Sequence, residues 1–173
     1  MKVKYPAFFN QAHTFLVNSS GHTAMPIVAI PELLSELFYS FSARYKTVAK
    51  VDEMYKLIAP PKSVEEELAQ IAASSKLNGQ TYPPELPDIN GIASRYDNSG
   101  FNQYGISIYE LGLKYYPTYY GFHYELGQLH AATDKQKAKN HLDKAISLLT
   151  TRPEKGGREI IAEIEKFKVK NQL

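Results

Sequence analysis

The sequence predicts a mainly α chain: an array of helix–turn–helix units preceded by an irregular N-terminal arm. Three observations predict it. From residue 31 to about residue 168, apolar side chains recur at spacings of three and four, the period of a helix with one buried face. Prolines, glycines and capping residues cut that pattern into pieces of helical length. Small residues in the C-terminal half return at offsets of 34 and 33, which signals a repeated unit. The 173 residues suffice for one domain with a buried core. Hydrophobic residues at 43% and charged ones at 22% place the chain outside the disordered and coiled-coil classes.

Residues 1–30 form the irregular arm. Thr14-Phe15-Leu16-Val17 predicts one short strand, and Asn18-Ser19-Ser20-Gly21 a turn. Pro31 suits the first position of a helix, with Glu32 favourable in its first turn. Leu34, Leu37, Phe38, Phe41, Tyr45 and Val48 then make one apolar stripe, a helix over 31–48. A further helical piece over 49–58 is expected to stop at Pro60-Pro61. Ser63-Val64-Glu65-Glu66 is a capping box for a helix over 63–78, which Gly79 would end as its C′ residue. Pro83, Pro84 and Pro87 make residues 80–88 a loop and the best internal boundary. The organisation is therefore an arm over 1–30, a helical connector over 31–79, the loop, and repeats with a capping helix over 89–173. Helices are expected over 88–98, 101–115, 119–131, 134–149 and 157–168.

Charge and composition exclude several functions. Lysine and arginine exceed the acids by two over residues 1–60, fall four short over 61–133, and exceed them by four over 134–173. A basic tail beside an acidic middle is a mild dipole, not a nucleic-acid footprint. No run approaches the ~18 apolar residues of a membrane span, so no membrane partner is expected. The apolar stretch Tyr5 to Phe9 is too short for a signal-peptide core, which reads as cytoplasmic if the chain is complete. With no cysteine there is no thiol nucleophile and no Cys-type zinc site. No cofactor is indicated: G-x-S-x-G, phosphate-binding glycine loops and H-E-x-x-H are all missing.

Within the repeat, Ile92-Ala93-x-x-Tyr96 returns as Leu126-Gly127-x-x-His130, and Gly105-x3-Tyr109-x2-Gly112 as Ala138-x3-Leu142-x2-Ala145. Asn98-Ser99-Gly100 makes the first inter-helix turn. Thr133-Asp134 opens the corresponding helix of the second copy, with Gln136 completing a capping box. Over about residues 86–152 this resembles the tetratricopeptide repeat, a ~34-residue helix–turn–helix unit with L-G-x2-Y, A-x3-F-x2-A and a closing proline. It departs from that pattern at His123, where the family has tryptophan, and at His130, where it has tyrosine. Two such units bury too little alone, so Glu159 to Phe167 and the helices before residue 79 are expected to cover the ends.

Histidines and tyrosines form two clusters. His123 and His130 lie seven apart on one helix and His141 on its partner. A metal site there competes with plain packing, and packing is preferred because the histidines hold repeat core positions without a carboxylate at ligand spacing. Seven of thirteen tyrosines fall between Tyr104 and Tyr124, and Tyr115, Tyr116, Tyr119 and Tyr120 surround the repeat junction. Amphipathic rings there suit helix seams and also a partner-binding groove.

The run from His22 through Thr23-Ala24-Met25-Pro26-Ile27, Ile30-Pro31 and Leu33-Leu34 to Leu37-Phe38 resembles the C-terminal part of enterochelin-esterase-like serine hydrolases. A helix, a Pro-Pro step and tetratricopeptide-like repeats follow the histidine in the same order as in one branch of that family. The resemblance implies an α/β hydrolase in which His22 is the general base for a serine. It also implies that the serine and its orienting aspartate precede Met1, in the family's order Ser, Asp, His. Ser20 stands where the family often has an acidic residue. The expected function is thus the histidine-bearing, helical-repeat part of a serine esterase, catalytically incomplete by itself. The alternative is a stand-alone repeat module that binds a protein and catalyses nothing. Expected partners are a hydrolase catalytic domain, another protein, or a second copy meeting the apolar arm over residues 5–30.

Overall fold

The computed structural model describes residues 30, 34, 39, 41, 43–77, 79–153 and 155–173. The expected arm over 1–30, with its short strand and turn, lies outside the described residues except for Ile30. Ile30, Leu34, Tyr39 and Phe41 are helical. The described elements are α1 (Val64–Ser74), a two-residue hairpin β1 (Lys76–Leu77) and β2 (Gln80–Thr81), α2 (Leu86–Asn98), α3 (Asn102–Tyr115), α4 (Tyr120–His130), α5 (Lys135–Thr151) and α6 (Gly157–Asn171). The protein is a mainly helical helix–turn–helix array, as predicted. α2 packs on α3, α3 on α4, α4 on α5 and α5 on α6.

Local chemistry explains most boundaries. Ser63 caps α1 by accepting from the Glu66 N–H, and the Glu66 carboxylate accepts from the Ser63 N–H at 3.1 Å, closing the predicted box. The three acids of its first turn complement the helix dipole. α2 starts two residues before its expected position, with Pro87 in its first turn and Asp88 accepting from the Glu85 N–H at 2.9 Å. Gly100, at φ +83°, makes the α2–α3 turn. Asp134 caps α5 by accepting from the Lys137 N–H. The expected box partner Gln136 bonds Asn140 instead, because Asp134 already occupies the capping position.

The connector departs from expectation in three places. Residues 43–48, expected to complete the helix over 31–48, are successive turns closed by bonds from Lys46 N–H to the Ala43 carbonyl and from Val48 N–H to the Tyr45 carbonyl. Left-handed Ala49 ends any helical run. Residues 49–58 form no helix. Val51 bridges Leu57 in an antiparallel pairing, and Ala49 and Tyr55 take left-handed backbone. Asp52 is the cause: its carboxylate accepts from the N–H groups of Met54 (2.8 Å) and Lys56 (3.0 Å), giving the backbone a turn in place of helical bonds. α1 likewise ends at Ser74, not at residue 78. The Ser75 hydroxyl returns to the Ile71 carbonyl and meets the Tyr45 hydroxyl at 2.8 Å, and Gly79 at φ +77° turns the hairpin.

The connector nevertheless covers the open end of the repeats. Tyr45, Val48 and Ile71 share one core with Ile89, Ile92, Tyr96, Tyr109, Phe122 and Leu126. Polar ties reinforce the contact. Arg44 pairs with Asp88 at 3.1 Å, Arg95 donates to the Val48 carbonyl, and Leu57 N–H donates to Ser99 Oγ. Buried Glu67 accepts from the Tyr96 hydroxyl and from the Lys62 N–H. At the other end, Ile164 of α6 joins Leu142, Ala145 and Leu149 of α5 in a second core, so α6 acts as the expected cap.

Candidate functional site

Repeated small residues set the spacing of the hairpins. A Cβ on Gly105 of α3 would lie 3.5 Å from the Ala93 carbonyl of α2, and one on Gly127 of α4 would lie 3.3 Å from the Ala138 carbonyl of α5. The same close approach thus recurs in both units, with the glycine on the second helix of one hairpin and on the first helix of the other. Gly112 plays a further part: its Cβ would fall 2.7 Å from a Phe122 ring carbon, so α3 and α4 meet through glycine against an aromatic ring.

The four junction tyrosines come together. Tyr115, Tyr116, Tyr119 and Tyr120 line a cavity of about 330 Å³ with Leu148 and Arg152 from the C-terminal end of α5. Their roles divide. Tyr116 donates its hydroxyl to the Pro84 carbonyl at 3.1 Å, and Tyr119 stands edge-on to Phe122 with centroids 4.8 Å apart. Those two are seam residues as well as walls. Tyr115 is 45% exposed and offers its ring to solvent. The guanidinium of Arg152 forms no ion pair among the described residues.

The three histidines also meet. His123 Nδ1 and His141 Nδ1 lie 3.1 Å apart, and the His130 ring stacks on His141 at 6.0 Å between centroids. One of the two facing nitrogens must carry a proton and the other a lone pair, which requires at least one neutral imidazole. Burial, opposed by a hydrogen bond to the Pro117 backbone and reinforced by the charge of Lys144, holds His123 below its ordinary value. Burial, then His123, His130 and Lys137, pushes His141 down to about 4. Among the described residues no group of three or more His, Asp or Glu side chains is disposed to hold a metal.

This seam makes stability depend on pH. His141 titrates near 6.5 when unfolded and near 4 when folded, so between those values the unfolded chain binds more protons. The stabilisation is complete above pH 6.5 and is lost as pH falls towards and through 4. A tenfold change in proton affinity is worth about 1.4 kcal/mol, and half-buried rings are partly screened, so a loss of about 1–2 kcal/mol is expected. Urea unfolding at pH 7.0 and 4.5 checks it: His141→Gln should flatten this part of the slope, and an unchanged slope would place the effect elsewhere.

His22, the catalytic residue expected from the sequence, lies outside the described residues. Among those described, no serine or threonine hydroxyl is hydrogen-bonded to a histidine. The hydroxyls of Ser63, Ser75, Ser94, Ser99 and Ser107 serve the backbone or a neighbouring side chain. The sequence marked Tyr109 only as a repeat position and did not single out Asp97 or Glu125, and the fold gathers all three around a second cavity. Asp97 and Glu125 lie 28 residues apart on different helices, and only the hairpin packing joins them. No helix of the described residues is long and apolar enough to cross a membrane. Compared with protein-family profiles, curated proteins and solved structures, the chain matches none of them.

Proposed function

We propose that this chain is the histidine-bearing, helical-repeat part of a serine esterase-like α/β hydrolase, with the array serving as a non-catalytic module attached to the catalytic domain. The observation that carries this reading is the order of the chain: the His22–Phe38 run, helical backbone at Tyr39 and Phe41, Pro60-Pro61 and then helical hairpins. Two features support it. The described histidines pack between α4 and α5, which leaves the acyl-transfer role to His22, the residue the resemblance names. The Tyr45–Val48 segment packs directly on the array, so the connector and the repeats share one core.

In this reading His22 takes the proton from a serine as that serine attacks the ester carbonyl, then returns it to the leaving alcohol. The serine and the orienting carboxylate are supplied from outside these 173 residues. The test begins with the intact mass of the native product. A mass well above 19.5 kDa, labelling by a fluorophosphonate serine probe, and at least about a thousandfold loss of ester turnover in His22→Ala are expected. A native mass of 19.5 kDa, with no labelling, would overturn it.

That same outcome would favour the second reading, a protein-binding repeat module. The observation in its favour is the four-tyrosine cavity, with the exposed Tyr115 ring and the guanidinium of Arg152 at its wall.

A further inference from the structure

A polar cavity of about 360 Å³ lies between the first helices of the two hairpins, sharing the Tyr119 wall with the four-tyrosine cavity. Asn90, Ser94 and Asp97 reach it from α2 at spacings of four and three, which puts them on one helix face. Glu125 reaches it from α4 and Tyr109 from α3. Gly91 keeps one stretch of wall free of side chains, and Gly121 lies under the Tyr119 ring, where a Cβ would stand 2.6 Å from a ring carbon.

Three features indicate what the cavity accepts. First, its charges are of one sign: Asp97 and Glu125 line it, no lysine or arginine does, and neither carboxylate has an ion-pair partner among the described residues. Their mutual repulsion is part of what raises Glu125, after its burial. Second, Tyr109 is only 5% exposed, yet its hydroxyl has no hydrogen-bond partner among the described residues. The groups that act on it electrostatically are Glu125, Asp97 and Tyr119, all walls of the same cavity. The ring is buried while the hydroxyl keeps access to the cavity, where it is free to bond a ligand. Third, the walls combine carboxylates, neutral oxygens and tyrosine rings.

We propose that this cavity binds a guanidinium cation, held between Asp97 and Glu125 with the Tyr109 hydroxyl accepting one of its N–H groups. The fit follows from donor counting. A guanidinium has five N–H donors and a flat face, and the cavity supplies two carboxylates, a phenol, Ser94 and Asn90 as acceptors and the Tyr119 ring as a stacking surface. A hard divalent cation needs six or more oxygens in a closed shell, and the described residues provide no three-ligand group. The volume suits one side-chain-sized ligand, at the lower end of the usual range for small-molecule sites. Arginine within a peptide and a free guanidine share this chemistry.

The test is a chemical-shift titration of the 173-residue chain with agmatine, with N-acetyl-arginine-N′-methylamide and with its citrulline counterpart. Saturable shifts at residues 90–97, 109 and 121–125 are expected with both guanidines and none with citrulline, whose urea group is neutral. Glu125→Gln and Asp97→Asn should each weaken binding at least about fivefold, and Tyr109→Phe about two- to fivefold, without lowering the melting temperature. Tighter binding of the capped arginine than of agmatine identifies a peptide as the source, and the reverse identifies a free guanidine; either supports the site. Equal binding of citrulline, indifference to Glu125→Gln, or calcium displacing agmatine from these residues would overturn it.

Discussion

Replacing Phe122 by alanine is expected to destabilise the protein by about 3–5 kcal/mol, the range for removing a large ring from a close-packed interior. Phe122 is fully buried on the first turn of α4, and its ring meets Tyr109, Tyr116 and Tyr119 at centroid distances of 5.7, 6.3 and 4.8 Å. It therefore joins α3, the tyrosine-rich turn and α4 in one contact. The hole left by truncation cannot close easily, because the facing wall is the backbone of Gly112, which has no side chain to move inwards. Urea unfolding measures the effect, and a cycle with Gly112→Ala tests its cause. Alanine at 112 alone collides with the ring at 2.7 Å. Combined with Phe122→Ala it fills part of the hole, so the two changes should couple favourably by about 1 kcal/mol or more. Additive effects would mean that the ring and the glycine do not constrain one another.

Gly127→Leu is expected to cost about 3 kcal/mol or more, at the top of the range for overpacking, while Gly91→Ala is expected to stabilise by about 0.5–1 kcal/mol. Both glycines stand inside helices, and helix propensity alone favours replacing either. Their surroundings reverse the sign for one of them. A Cβ at 127 would sit 2.6 Å from Leu142 Cγ and Cδ2, and 3.3 Å from the Ala138 carbonyl, so a longer side chain must push α5 away from α4. A Cβ at 91 meets nothing within 4 Å. Gly127→Ala should fall between the two, losing about 1–2 kcal/mol as the collision with Leu142 outweighs the gain in propensity. Thermal melts of the three variants decide the matter. A Gly127→Leu protein as stable as the parent would show that the α4–α5 hairpin is not closed as tightly as described.

Much of this architecture was legible because its causes are local and periodic. Apolar spacing of three and four, the Ser63–Glu66 box and the closing prolines mark helices by rules that act within a few residues. The offset small residues marked the close crossings for the same reason, since each hairpin repeats one steric demand: Gly105 against Ala93, Gly127 against Ala138. The errors fell where a side chain competes with the helix. Asp52 draws two backbone N–H groups into a turn, and Ser75 binds back to Ile71 and across to Tyr45. The apolar pattern over 49–58 and 75–78 carries no record of either bond.

The candidate sites divide along the same line. Tyr115, Tyr116, Tyr119 and Tyr120 are contiguous enough in the chain for their meeting to be expected, although Arg152 at the same cavity was not. The acidic cavity had no sequence signal: Tyr109 stood out only as a repeat position, and Asn90, Asp97 and Glu125 are unremarkable helix residues until two hairpins place them together. The sequence by itself determined the helical class, the two-copy repeat and the positions of close helix approach, because spacing and residue size act along the chain. Tertiary structure alone decided which polar groups remain unpaired. Whether a phenol or a carboxylate finds a partner depends on neighbours distant in the chain, and that separates Tyr96, bonded to Glu67, from Tyr109, whose hydroxyl has no partner among the described residues and stays accessible at the cavity.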